Sequence, residues 1–197
     1  MLPYYYGHAA EAVRLAQDAQ AILGGVPRAA GALAAAAEAR ALARLGNEPE
    51  ARRAIKLAQE LVSQGSVPGT DESDDAFVFG TRRFLFYASG TMTNLADTAE
   101  ARRLQQEALD HYSGRTGLID PALIRLDQVQ LLAMEGDFHG AGELAVDVVS
   151  SVPAAQRTLI FAARLHQITA AIPEQHGAPA IFKDILGQLA YPDMRGN

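Results

Sequence analysis

The sequence predicts an all-α fold, a right-handed stack of antiparallel helical hairpins, and three observations predict it. A short pattern returns four times: a small residue, a polar residue, then an alanine five places after the first. Gly7-His8 leads to Ala12, Gly46-Asn47 to Ala51, Ala96-Asp97 to Ala101, and Gly136-Asp137 to Ala141. Seven places after each alanine stands another small or branched apolar residue: Ala19, Ala58, Ala108 and Val148. A fixed internal pattern of this length marks stacked helical hairpins. Apolar residues elsewhere recur with helical spacing, and no segment sustains the period-two alternation of a strand. The links between successive segments are mostly short, which makes antiparallel neighbours.

The helices follow in order from caps and periodicity. The first spans about 8–23 and ends at Gly24-Gly25; the second, alanine-rich, spans about 29–45 and ends at Gly46. Asn47 can cap the third, about 48–63, with Pro49 tolerated in its first turn. Gly65, Pro68 and Gly69 break the chain before a fourth helix at about 75–92. Asp97 or Thr98 starts the fifth, about 98–112, and Gly114 and Gly117 mark its exit. Asp120-Pro121 opens the sixth, about 121–135, with Asp as cap and Pro at the first helical position. Asp137 caps the seventh, about 138–150; Pro153 opens the eighth, about 153–172; the ninth is expected at about 178–190.

Short links pair the second helix with the third, the fourth with the fifth, the sixth with the seventh and the eighth with the ninth. The first helix carries the second-helix half of the pattern with only Met1-Leu2-Pro3-Tyr4-Tyr5-Tyr6 before it. It is an orphan half-hairpin, either the cut end of a longer array or a natural cap. The repeated alanines suit close helix–helix approach, where a larger side chain would cost about 1–3 kcal/mol in overpacking. The whole chain, 1–197, is expected to be one domain.

Composition bounds the function. An apolar fraction of 49% and a charged fraction of 20% are ordinary for a folded soluble protein. The net charge of −6 argues against a polyanion as the direct partner. The absence of cysteine removes disulfides, thiolate nucleophiles and thiolate metal sites. No run approaches the roughly 18 apolar residues of a membrane span. No basic segment followed by an apolar stretch opens the chain. The expectation is a cytoplasmic protein with no membrane segment.

Catalytic signatures are absent from the sequence: no phosphate-cradling glycine loop, no dinucleotide fingerprint, no His-Glu-x-x-His. Ser89 lacks the preceding glycine of a nucleophile elbow and falls mid-helix. The acidic run Asp71-Glu72-Ser73-Asp74-Asp75 lacks the spacing of a calcium loop and suits a helix N-terminus instead. No enzyme activity, no cofactor and no metal are expected. The fourth helix is unusual: Phe77, Phe79, Phe84, Phe86 and Tyr87 interleave with Arg82 and Arg83. These aromatics either fill the core between hairpins or, with the arginines, line a groove suited to a carboxylate or a flat ring. Repeat register turns Arg40, Arg83, Phe86 and Gln130 toward the concave side, with Arg82, Tyr87, Asp127 and Arg164 beside them. Asp127, isolated among apolar residues, is expected to pair with an arginine of a neighbouring helix.

Leu42–Ala58, LARLGNEPEARRAIKLA, resembles the turn and second helix of a tetratricopeptide repeat, as does Leu131–Val148, LLAMEGDFHGAGELAVDV. More narrowly, DDAFVFGTRRFLFYASG, ADTAEARRLQQEALDHY, DPALIRLDQVQLLAMEGDFHGAGELA and VPAAQRT resemble the C-terminal region of actinobacterial regulators. In those proteins a helix-turn-helix of the xenobiotic-response-element type precedes a tetratricopeptide-like array. The resemblance implies an effector- or partner-sensing domain that reaches DNA only through an upstream domain this chain lacks. Its partner would be a peptide, a protein or a small-molecule effector, and a homodimer is possible. The alternative is a general scaffold that holds partner peptides in its concave groove.

Overall fold

The computed structural model describes residues 2–24, 29–65, 78–113 and 119–171, and every regular element among them is helical. The elements are α1 (Leu2–Tyr5), α2 (Ala9–Leu23), α3 (Ala29–Arg44), α4 (Glu48–Gly65) and α5 (Thr81–Asn94). They continue as α6 (Thr98–Tyr112), α7 (Ile119–Met134), α8 (Phe138–Ser151), a 3-10 turn (Ala154–Gln156) and α9 (Leu159–Ala171). No helix among the described residues is long and apolar enough to cross a membrane.

The fourfold pattern is one turn used four times. Its first residue sits in the left-handed region: Gly7, Gly46 and Gly136 at φ +88°, +75° and +84°, and Ala96 at +57°. That conformation closes a helix by returning the next backbone N–H to a carbonyl five residues back. His8 thus donates to Pro3 at 2.8 Å, Asn47 to Leu42 at 3.0 Å, Asp97 to Met92 at 3.1 Å and Asp137 to Leu132 at 2.9 Å. The carbonyl of that same polar residue then accepts the N–H of the pattern alanine: Ala12, Ala51, Ala101 or Ala141, at 2.8–3.0 Å. One residue therefore finishes one helix and starts the next. Asp137 adds a side-chain cap, its carboxylate accepting from the Gly140 N–H at 2.9 Å. His8 and Asp97 do not.

The alanines matter because of where the turn sends the chain. Ala51, Ala101 and Ala141 are completely buried, as are Ala58, Ala108 and Val148 two turns on. A methyl at those points lets the returning helix approach closely.

The chain forms two compact units, residues 1–115 and 116–197. In the first, α3 is central: it packs against α2, α4 and α5, while α5 packs on α6 and α1 on α2. In the second, α7 packs on α8 and on α9. The expected hairpins α3–α4, α5–α6 and α7–α8 are thus in contact.

Three boundaries differ from expectation for identifiable reasons. The helix expected at 153–172 begins at Leu159, because the Thr158 hydroxyl accepts from the Phe161 N–H at 3.2 Å and caps there. Ahead of it, the Arg157 guanidinium donates to the carbonyls of Val149 and Val152, each at 3.0 Å, and closes the end of α8. Among the described residues of 75–92, the helix starts only at Thr81, after an extended Gly80, and runs on to Asn94. The segment ahead of the first turn is itself helical, as α1. The helix expected at 178–190 and the acidic run 71–75 lie outside the described residues.

Candidate functional site

Arg40 lies at the centre of the first unit, completely buried. Its guanidinium carbon stands 4.9 Å from the Tyr4 ring centroid, 5.6 Å from Tyr5 and 4.9 Å from Phe86. Its Nη1 donates to the Tyr5 hydroxyl at 3.1 Å. A guanidinium among three ring faces is held by the rings' quadrupoles and is more weakly hydrated than an ammonium, which suits it to burial. Access for it comes from Gly90 on α5: a Cβ there would lie 2.6 Å from Arg40 Nε. The tyrosines are fixed in turn. The Tyr4 hydroxyl accepts from Asn94 Nδ2 at 2.9 Å, and the Tyr4 carbonyl accepts from Arg44 Nη1 at 3.3 Å. Arg40 and Phe86 were expected on an open concave surface; both are enclosed, with the N-terminal tyrosines filling the space before them.

The other expected residues of this unit separate. Arg82 is buried with its guanidinium 5.2 Å from the Tyr112 ring, joining α5 to α6. Arg83 turns the other way and donates to the Val78 carbonyl at 2.9 Å. Tyr87 is half-buried, edge-on to Phe86 at 5.4 Å and tilted against Phe79 at 5.7 Å. Aromatic contacts thus run from Phe79 through Tyr87 and Phe86 to Arg40 and on to Tyr4 and Tyr5. That is a core arrangement.

In the second unit the structure brings together Asp127, Gln130 and Arg164. Arg164 on α9 gives the Asp127 Oδ1 two hydrogen bonds, from Nε at 3.0 Å and Nη2 at 2.5 Å, and Nη2 also bonds the Gln130 amide oxygen. Asp127 and Gln130 lie three residues apart on α7, so one guanidinium reaches both. Asp127 is 0% exposed and Arg164 4%. The expected aspartate–arginine pair is present, and it joins two packed helices inside the fold. Ser89 is buried and donates to the Phe86 carbonyl at 3.1 Å within its own helix.

One open feature among the described residues is one the sequence did not single out. A groove of about 300 Å³ runs between α2 and α3. Ala12, Leu15, Ala16 and Ala19 form one wall; Ala30, Leu33, Ala34 and Ala37 form the other. Every lining residue is apolar. Leu15 is 43% exposed, and Ile22, two turns farther along α2, is 86% exposed. In the sequence an alanine stripe reads as close packing, so nothing there marks these positions as an open groove.

No family model, curated protein or solved structure matches this chain.

Proposed function

We propose that this protein is a non-catalytic binding domain, a tetratricopeptide-like array that serves as the sensing part of a bacterial transcriptional regulator. The observation that carries the array reading is the single turn used four times, together with first-helix contacts of α3 on α5 and α7 on α9. Arrays of helical hairpins present extended surfaces rather than strained catalytic turns. The regulatory half of the reading rests on the resemblance of residues 74–158 to the C-terminal regions of such regulators.

The groove between α2 and α3 favours a polypeptide partner over a small polar effector. It is open and apolar, whereas effector pockets enclose their ligand and fix it with a few convergent polar groups. The same observation supports the second reading, a scaffold that holds a partner without switching anything.

The two readings separate on DNA. The full-length product containing this chain would be mixed with a random duplex library, and bound sequences enriched over successive rounds. Enrichment of one motif supports the regulator; no motif removes that half and leaves the scaffold. A thermal-shift screen of the chain with intracellular metabolites and short peptides runs beside it. A ligand that prefers the folded state raises the melting temperature by mass action.

A further inference from the structure

We propose that Met134 is a redox-sensitive modification site, where a peroxide converts the thioether to a sulfoxide that Gln130 ties to the Asp127–Arg164 pair. The site belongs to the second unit and does not rest on the binding-array reading.

In three of the four turns, the residue two places before the left-handed position makes a polar bond to a neighbouring helix. The Tyr5 hydroxyl accepts from Arg40 on α3. Arg44 donates to the Tyr4 carbonyl of α1, and Asn94 donates to the Tyr4 hydroxyl. Each uses a polar tip to tie its own helix end to another. Met134 holds this place in the fourth turn, at the end of α7, with its side chain 49% exposed. A thioether sulfur is only a weak acceptor. A sulfoxide would give Met134 the polar tip that its three counterparts have.

A donor already points at the sulfur. Gln130, one turn earlier on α7, directs its Nε2 N–H at Met134 Sδ, 3.7 Å away. The oxygen of the same carboxamide accepts from Arg164 Nη2. Arg164 in turn grips the buried Asp127 Oδ1, from Nε at 3.0 Å and Nη2 at 2.5 Å. Asp127, Gln130 and Met134 fall at i, i+3 and i+7, on one face of α7. The carboxamide is thus fixed through its oxygen and offers its N–H to whatever the sulfur carries. A sulfoxide oxygen there turns a weak N–H···S contact into an N–H···O bond. The chain of bonds then runs from α9 through Gln130 to the end of α7.

The chemistry needs only hydrogen peroxide as oxidant. A sulfur lone pair attacks one peroxide oxygen, the O–O bond breaks and the S–O bond forms. The departing hydroxide takes the proton of the transferred oxygen and leaves as water. Sulfur gives up two electrons and the peroxide gains them. Sulfoxide reductases reverse the step, one enzyme for each epimer. The chain has no cysteine to consume the oxidant first. Of its four methionines, Met1 and Met194 lie outside the described residues. Met92 is the internal control: its sulfur also faces an N–H, from Arg52 Nη1 at 3.7 Å, but its side chain is only 6% exposed.

The test treats the whole chain with dilute hydrogen peroxide and follows the gain of one oxygen, peptide by peptide, by mass spectrometry. Met134 is expected to oxidise about tenfold or more faster than Met92, because oxidation follows exposure. Coupling is read from the NMR signal of the Arg164 Nε–H. It should move when the parent is oxidised and return after treatment with reductases of both stereospecificities. Gln130→Glu keeps an acceptor for Arg164 and removes only the N–H donor; Gln130→Leu removes both. In either variant Met134 should still oxidise while the Arg164 signal stays where it was. Urea midpoints before and after oxidation supply a second readout, with Met134→Leu reporting what the other methionines contribute. Oxidation of Met134 should leave the parent midpoint unchanged or raised, and should lower that of the Gln130 variants. Equal oxidation of Met134 and Met92 overturns the inference, as does an Arg164 signal that ignores oxidation of the parent. So does a midpoint that falls equally with and without the Gln130 N–H, which marks simple oxidative damage.

Discussion

Arg40 occupies the space that a side chain at residue 90 would need, with its Nε 2.6 Å and its guanidinium carbon 2.8 Å from the position of a Cβ there. Gly90 sits mid-helix, where glycine costs about 1 kcal/mol relative to alanine. Its presence is explained by the guanidinium rather than by the helix. Gly90→Ala should therefore destabilise the protein despite its better propensity, by about 1–3 kcal/mol from overpacking. The midpoint of urea unfolding reads this directly. A variant more stable than the parent would show that Arg40 moves aside without cost.

The four turns carry an internal control. Three have glycine in the left-handed position and the fourth has Ala96 at φ +57°. A side chain there costs about 1–2 kcal/mol in backbone strain. Ala96→Gly should accordingly stabilise the protein by about 0.5–1 kcal/mol, and Gly46→Ala should destabilise it by about the same amount. Nothing lies within 4 Å of a Cβ built on Gly46, so conformation alone sets the second effect. Thermal unfolding of the two variants should move in opposite directions.

Breaking the buried pair in the second unit should be costly. Asp127→Ala leaves the Arg164 guanidinium in a space that is 4% exposed, with Gln130 still against it. Loss of one member of a buried pair costs about 3–5 kcal/mol, chiefly the penalty on the charge that remains. Asp127→Leu combined with Arg164→Met should recover most of that loss, because it removes both charges. Denaturant titration of the single and double variants checks the order.

At the surface, the hydrogen bond from Arg103 holds the Glu100 carboxyl below its ordinary value of 4.5, against a smaller upward push from burial. Arg14 does the same for Glu11. A carboxyl whose folded value is depressed adds stability that is present above its unfolded value and is lost as pH falls through the folded one. The contribution of these pairs should thus be fully present and constant around neutral pH and should decline below about pH 4.5. Both pairs are solvent-exposed, so the slope should be shallow and screened by salt. Carboxyl NMR titration checks the cause: Arg103→Gln should return Glu100 to the ordinary range and leave Glu11 unmoved.

What the sequence revealed follows from how local the determinants are. The helix expected at 98–112 is found as Thr98–Tyr112, because the turn before it and the chain break after it are both written in neighbouring residues. Asp127 announced its arginine because a carboxylate among apolar residues demands one. The start of α9 was missed because Pro153 outweighed Thr158 as a signal, although Thr158 supplies the cap. α1 is too short for periodicity to reveal, and the helix after it reads as an orphan half-hairpin until the structure shows the left-handed Gly7 closing a helical turn ahead of it. The enclosure of Arg40 was not legible at all. It depends on a glycine fifty residues away and on tyrosines that fold back from before the first turn.

The Tyr4–Asn94 hydrogen bond joins residues ninety places apart, in a unit whose other links are mostly between adjacent helices. Stacked hairpins held only by neighbours can fray from an end, one at a time, with the interior still intact. Here the first turn of the chain is bonded to the last turn of α5, across α3. Losing the end therefore means uncovering Arg40 at the middle, so opening there is penalised as heavily as opening anywhere else. Amides of α2, α3 and α5 should exchange with solvent as one cooperative block, while those of the outer helices exchange as a graded series.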